Sequence, residues 1–178
     1  MKTIASLFVI STLFVNCNSP IQAQTTTENR TVTPFVKIDN ATPFEIILEK
    51  GSKENIALEV TDVDLKKIQT EVKDNTLKIG LDNTGMFSKM KGKIIVTYVS
   101  LDGIENSGSG DITCKSAIET ATFALNSDGS GDVHFDENVT ASNFSFHHKG
   151  SGDVEMKNLT TDNLTIAMLG SGDFKADA

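Results

Sequence analysis

The chain has 178 residues, and its 24 Asp and Glu against 16 Lys and Arg give a formal net charge of −8. That balance excludes a nucleic-acid partner, which needs a basic footprint. The length suits a single domain able to bury a core of its own.

Residues 1–23 read as an export signal. Lys2 supplies the positive start, Ile4 to Val15 the mostly apolar run, and Ala23 the small residue before the cut. The run is too short to span a bilayer, so no transmembrane segment is expected in the mature chain. Removing the signal takes Lys2 from the 16 basic residues, leaving 15 against 24 acidic ones, a net of −9. Cys17 offers an alternative, lipid anchoring at a new N-terminal cysteine, but Asn16 is large for the position before such a cysteine. Either route predicts an exported protein of the periplasm, the outer-membrane surface or the extracellular space. Only Cys114 then remains, and no intrachain disulfide is available.

Residues 24–32 have almost nothing apolar to bury and read as a flexible lead-in to a single domain over 33–178. Apolar residues then alternate at the strand period: Val36 and Ile38; Phe44, Ile46 and Leu48; Ile56, Leu58 and Val60. Gly51 to Asn55 reads as a hairpin loop between two of these runs, and Lys73-Asp74-Asn75 as another between Ile68–Val72 and Thr76–Leu81. Val63 to Gln69 reads as a turn or short helix, and Lys93 to Val99 as a buried strand. Lys89, Lys91 and Lys93 alternate as a solvated edge.

Gly-Ser-Gly-Asp then occurs at 108–111, 129–132, 150–153 and 170–173, with apolar flanks repeating at matching offsets. No single unit could bury its apolar face alone, so stacked units must share a continuous core. The expected fold is all-β, a solenoid with ~21-residue rungs preceded by strands and hairpins of the same domain. Rungs about 4.8 Å apart would make a stack on the order of 15–20 Å high. A leucine-rich repeat lacks support because its leucine and asparagine pattern is absent, and the equal spacing of identical turns counts against a sandwich.

Gly108, Gly110, Gly129, Gly131, Gly150, Gly152, Gly170 and Gly172 are expected to serve close approach between rungs. Asp111, Asp132, Asp153 and Asp173 are expected to brace the turns by accepting backbone N–H groups. Stacked at strand spacing, those four like charges would repel, and calcium is the candidate ligand that could offset this. Calcium-binding Gly-Asp repeats have a nine-residue period with facing half-sites, however, so no metal or cofactor is assigned. A phosphate loop is excluded because Gly108–Thr113 lacks a third glycine and runs into a strand. His134 and His147 are expected to point outward, His148 to line the inside wall, and Cys114 to fill a small inward slot. No serine or cysteine is placed with a histidine and a carboxylate in a nucleophile pattern, so no catalytic residue is assigned.

Gly103-Ile104-Glu105-Asn106 running into the first Gly-Ser-Gly-Asp, with the Leu77–Ile79 and Ile94–Val96 strands before it, resembles the auto-transporter adhesin family with a head GIN domain, secreted proteins of Bacteroidetes. The resemblance covers roughly residues 33–178. It implies a right-handed β-helix-like solenoid, and it brings no catalytic residues. The sequence stops at Lys175-Ala176-Asp177-Ala178, short of the full rung the family implies. That end is expected to be incomplete or covered by a second copy, giving a homo-oligomer through the C-terminal rung. The function expected is a non-catalytic secreted or surface binding module, an adhesin for a surface glycan or envelope protein. Outward ladders such as Thr113, His134, Glu155 and Lys175 would present the contact surface. A structural envelope protein without a ligand is the alternative, and a carbohydrate-active β-helix enzyme the third reading.

Overall fold

The computed structural model describes residues 25–82 and 90–177. The export signal, Cys17 and Lys89 lie outside the described residues. Among the described residues fifteen strands follow in chain order. They are β1 (Thr25–Arg30), β2 (Lys37–Asn40), β3 (Glu45–Lys50), β4 (Asn55–Thr61), β5 (Ile68–Lys73), β6 (Thr76–Leu81), β7 (Lys91–Tyr98) and β8 (Gly103–Asn106). The repeats supply β9 (Ile112–Cys114), β10 (Ile118–Ser127), β11 (Val133–Phe135), β12 (Val139–His148), β13 (Val154–Met156), β14 (Leu159–Met168) and β15 (Phe174–Ala176). The only helical piece among the described residues is a 3-10 turn at Leu65–Lys67, started by the Asp64 carboxylate accepting from the Lys66 N–H.

The fold is all-β, with two mixed sheets that stay open. Sheet A runs β1-β4-β7-β3-β9-β11-β13-β15 and sheet B runs β14-β12-β10-β8-β2-β6-β5. From β9 to β15 and from β8 to β14 the strands are parallel, and partners are equivalent repeat positions: Ile112 beside Val133, then Val154, then Phe174. Parallel in-register pairing puts like side chains in columns, and the columns are the core. Phe123 stacks on Phe144 with centroids 5.9 Å apart and meets Phe135 of sheet A edge-on at 6.0 Å.

The stack begins earlier than the tetrapeptides. Ile38 and Asn40 pair with Ile104 and Asn106, and Ile46 and Leu48 with Ile112 and Cys114. Residues 37–50 are therefore a further layer, with Thr42-Pro43-Phe44-Glu45 in place of Gly-Ser-Gly-Asp. β6 and β7 add a layer below it, pairing with β2 and β3.

Two local expectations change. Gly51–Asn55 does not close a hairpin, because β7 lies between β3 and β4, parallel to the first and antiparallel to the second. Residues 25–30, expected in a flexible lead-in, form the edge strand β1 on β4. Arg30 holds it there by donating to the carbonyls of Ile68 (2.6 Å) and Leu65 (2.8 Å) and to Thr70 Oγ1 (2.9 Å), joining the edges of the two sheets at the N-terminal end. The hairpin at Lys73-Asp74-Asn75 forms as expected, with positive φ at Asp74 (51°) and Asn75 (58°), as a tight β5–β6 turn requires.

The opposite end is bare. Leu164, Ile166, Met168 and Leu169 are 51%, 42%, 41% and 81% exposed, whereas Phe144 and Phe146, one repeat earlier, are 1% and 0% exposed. No helix among the described residues is long and apolar enough to cross a membrane.

Candidate functional site

The Gly-Ser-Gly-Asp turns stack along one corner. A Cβ at Gly108 or Gly110 would come within 2.2 or 1.9 Å of the carbonyl oxygen of Thr42 or Phe44. At Gly129, Gly131, Gly150, Gly152, Gly170 and Gly172 it would meet the carbonyl oxygen of the glycine one rung below at 1.8–2.2 Å. The turn backbones are therefore in contact, with no room for a side chain between them.

The aspartates stand in a row on this corner. Asp111 Oδ1 accepts the Asp132 N–H at 2.9 Å, Asp132 Oδ1 the Asp153 N–H at 2.8 Å, and Asp153 Oδ1 the Asp173 N–H at 2.8 Å. The carboxylates of Asp111, Asp132 and Asp153 thus each satisfy a backbone donor of the following turn. Among the described residues no three His, Cys, Asp or Glu side chains converge as a metal cage would. Asp132→Ala is expected to cost about 0.5–2 kcal/mol, as losing a cap does. Asp173→Ala should cost almost nothing, since no described N–H is bonded to its carboxylate. Urea unfolding checks the pair, and a calcium-dependent rise in either midpoint would contradict the backbone role.

Behind the corner runs a buried polar column. Asn40 Nδ2 donates to Asn106 Oδ1 at 3.0 Å, and Asn106 Nδ2 reaches the carbonyls of Gly110 (3.3 Å) and Gly131 (3.4 Å), bracing the turns from inside. Ser127 and His148 continue the column. His148 is 1% exposed and its ring lies 5.8 Å from that of Phe146. Cys114 is also inward, with its Sγ 3.7 Å from Tyr98 Oη, and burial pushes both the thiol and the phenol above their usual ranges.

The outer face of sheet A carries two rows of polar and charged side chains. Thr113, His134, Glu155 and Lys175 form one row in register. Lys115, Asp136, Lys157 and Asp177 form the next, each held by a backbone bond to the rung before it. The second row alternates in sign at every step, so neighbours attract where like charges would repel. Lys115 Nζ meets Asp136 Oδ2 at 2.5 Å, and His134 Nδ1 lies 3.7 Å from Glu155 Oε2. Hydrogen bonding to Asp136, with the charges of Asp136, Glu45 and Glu49 behind it, raises the pKa of the Lys115 ammonium.

His134, Asp136, Glu155, Lys157, Lys175 and Asp177 line an open concavity of about 520 Å³ between the two rows. Sequence reading found the first row. It missed the second, whose signal is a charge that changes sign at each repeat offset. His147 is exposed on sheet B, away from this groove. The groove offers hydrogen bonds and charges of both signs to a polymer laid along it. Among the described residues the seven phenylalanine and tyrosine rings from Phe35 to Phe146 are all buried and Phe174 is partly covered, so none of them is an exposed stacking platform.

Residues 34–178 match the family model described as "Putative auto-transporter adhesin, head GIN domain". No curated protein matches the chain in sequence. Solved structures share the fold. A protein of Parabacteroides distasonis ATCC 8503 named a putative adhesin is similar with a TM-score of 0.78 at 17% identity, over 86% of this chain and 65% of that one. A Bacteroides fragilis NCTC 9343 protein also named a putative adhesin has a TM-score of 0.58 at 21% identity, over 86% of this chain and 97% of that one. A third, from the same Parabacteroides strain and named a putative lipid binding protein, has a TM-score of 0.67 at 20% identity, over 83% of this chain and 63% of that one. This chain thus spans less than two thirds of either Parabacteroides protein.

Proposed function

Because the chain belongs to the auto-transporter adhesin, head GIN domain, family, we propose that it is an exported, non-catalytic binding module that attaches to a surface polymer, a glycan or an envelope protein. The two in-register rows flanking the sheet A groove carry this reading. Repeated side chains at strand spacing suit a ligand that itself repeats or runs extended. Architecturally we read the stack as a right-handed β-helix-like solenoid of ~21-residue rungs, supported by the parallel pairing of equivalent positions. Export by the 1–23 signal supplies the location.

The test is retention of fluorescently labelled residues 24–178 on intact cells and isolated envelopes. Lys157→Glu and Lys175→Glu together raise the groove's carboxylates from three to five and should cut retention about tenfold or more. Unchanged retention would favour the envelope protein without a specific ligand.

A second copy is the partner we assign to the bare C-terminal end. Its matching strand edges and apolar side chains would meet their like, while the Arg30-braced end is not available for stacking. Sedimentation of the same samples should show a dimer that Ile166→Lys dissociates, and a monomer at all concentrations removes this part of the reading.

A further inference from the structure

The outer face of sheet B has a notch that the groove on sheet A does not explain. One row across it reads Thr76, Lys37, Gly103, Ala124, Ser145, Thr165 from strand to strand. The side chains shrink to nothing at Gly103 and to a methyl at Ala124, leaving a hollow of about 210 Å³. Gly103 cannot be filled, because a Cβ there would lie 2.9 Å from the Ala124 carbonyl oxygen. A glycine inside a strand marks a place where another backbone or a ligand comes close, and here the close backbone also opens the surface above it.

The rim is polar and unspent. Lys37, Glu105 and Asn126 border the hollow, and their side chains make no hydrogen bond or ion pair with the described residues. The neighbouring Asp39 is engaged by Lys78 at 3.4 Å, so Glu105 does not share that cation. An ammonium, a carboxylate, an amide and the Thr76 hydroxyl together offer donors and acceptors at every side. A charged ligand would be repelled by one of the two opposite charges, whereas hydroxyl groups can bond to both. The hollow is smaller than the about 300–1,000 Å³ of a drug-sized site, so it holds one small unit. Ser145 and Thr165 continue the row as hydroxyl-bearing positions toward the C-terminal end.

We propose that this notch holds one neutral, hydroxyl-bearing sugar unit of a glycan chain laid across the strands of sheet B. The proposal rests on the reading of the chain as a surface-binding module and names the ligand class of a second contact face.

The test is an amide chemical-shift titration of residues 24–178 with maltohexaose, cellohexaose and mannohexaose as neutral probes, and with hexagalacturonate and hexameric chitosan as charged ones. At least one neutral probe should move the amides of Lys37, Thr76, Gly103 to Glu105 and Ala124 to Asn126. Ala124→Leu, whose side chain points outward into the hollow, should weaken that binding by about tenfold or more through steric exclusion. Ala124→Ser should retain the binding, and both variants should melt with the parent. Silence with all three neutral probes, binding of charged probes alone, or shifts indifferent to Ala124→Leu overturns the proposal. Silence with the three neutral probes while retention on cells is still lost through the groove substitutions sinks the notch and spares the surface-binding reading.

Discussion

One methyl group added at Gly131 is expected to lower stability by about 3 kcal/mol, near the top of the range for overpacking a filled site. The new carbon would sit 2.1 Å from the Gly110 carbonyl oxygen and 2.6 Å from its carbonyl carbon. Both atoms are backbone of a turn that is itself held by its neighbours, so no side chain can swing away to relieve the contact. For a protein of this size the loss corresponds to roughly 6–12 °C in melting temperature. Gly80→Ala is the control: its Cβ would meet only the flexible Gln69 side chain, at 3.7 Å and beyond, and alanine should be neutral there. A Gly131→Ala protein melting with the parent would mean that the turns are not packed backbone on backbone.

The second large effect compares one column at two heights. Phe144→Ala removes a ring that is 1% exposed and stacked on Phe123, and is expected to cost about 3–5 kcal/mol. Leu164 occupies the same repeat position one rung on, pairs in register with Phe144, and is 51% exposed. In the single chain, at dilutions where no dimer forms, Leu164→Ala should therefore stay below about 1 kcal/mol, the range of surface changes. Urea unfolding of the two variants measures the contrast directly. Comparable losses would show that the last rung is covered in solution, as the second copy requires, so this pair and the sedimentation experiment inform each other.

The repeating half of the fold was legible because its physical demand falls on particular residues. A turn lying on another turn must lack side chains, and eight glycines at regular offsets announce it. The layer at residues 37–50 escaped notice for the complementary reason: Thr42 and Phe44 stand where glycine stands above. The β3–β4 hairpin was misread because local alternation says which residues face inward but not which strand arrives between them. Only the long-range placement of β7 decides that. β1 was invisible for want of an apolar face, since an edge strand can be held by backbone pairing and one arginine. At the candidate site, the row beginning at Thr113 follows from strand alternation within each unit. The alternating row beginning at Lys115 emerges only when units are laid over one another, because its charges stand far apart along the chain.

The aspartate-to-amide bonds all point one way. Each rung offers its carboxylate to the rung that follows and takes nothing of the kind back from it, and each glycine fits against a carbonyl already laid down before it. The stack is thus a sequence of templates in which every layer is shaped by its predecessor. Once β2 to β7 have closed the first end, a chain that emerges N-terminus first can add the repeat layers from β9 onward in the order in which they appear. Damage high in the pile sheds what lies above it, while damage near Arg30 removes the surface on which everything else was built.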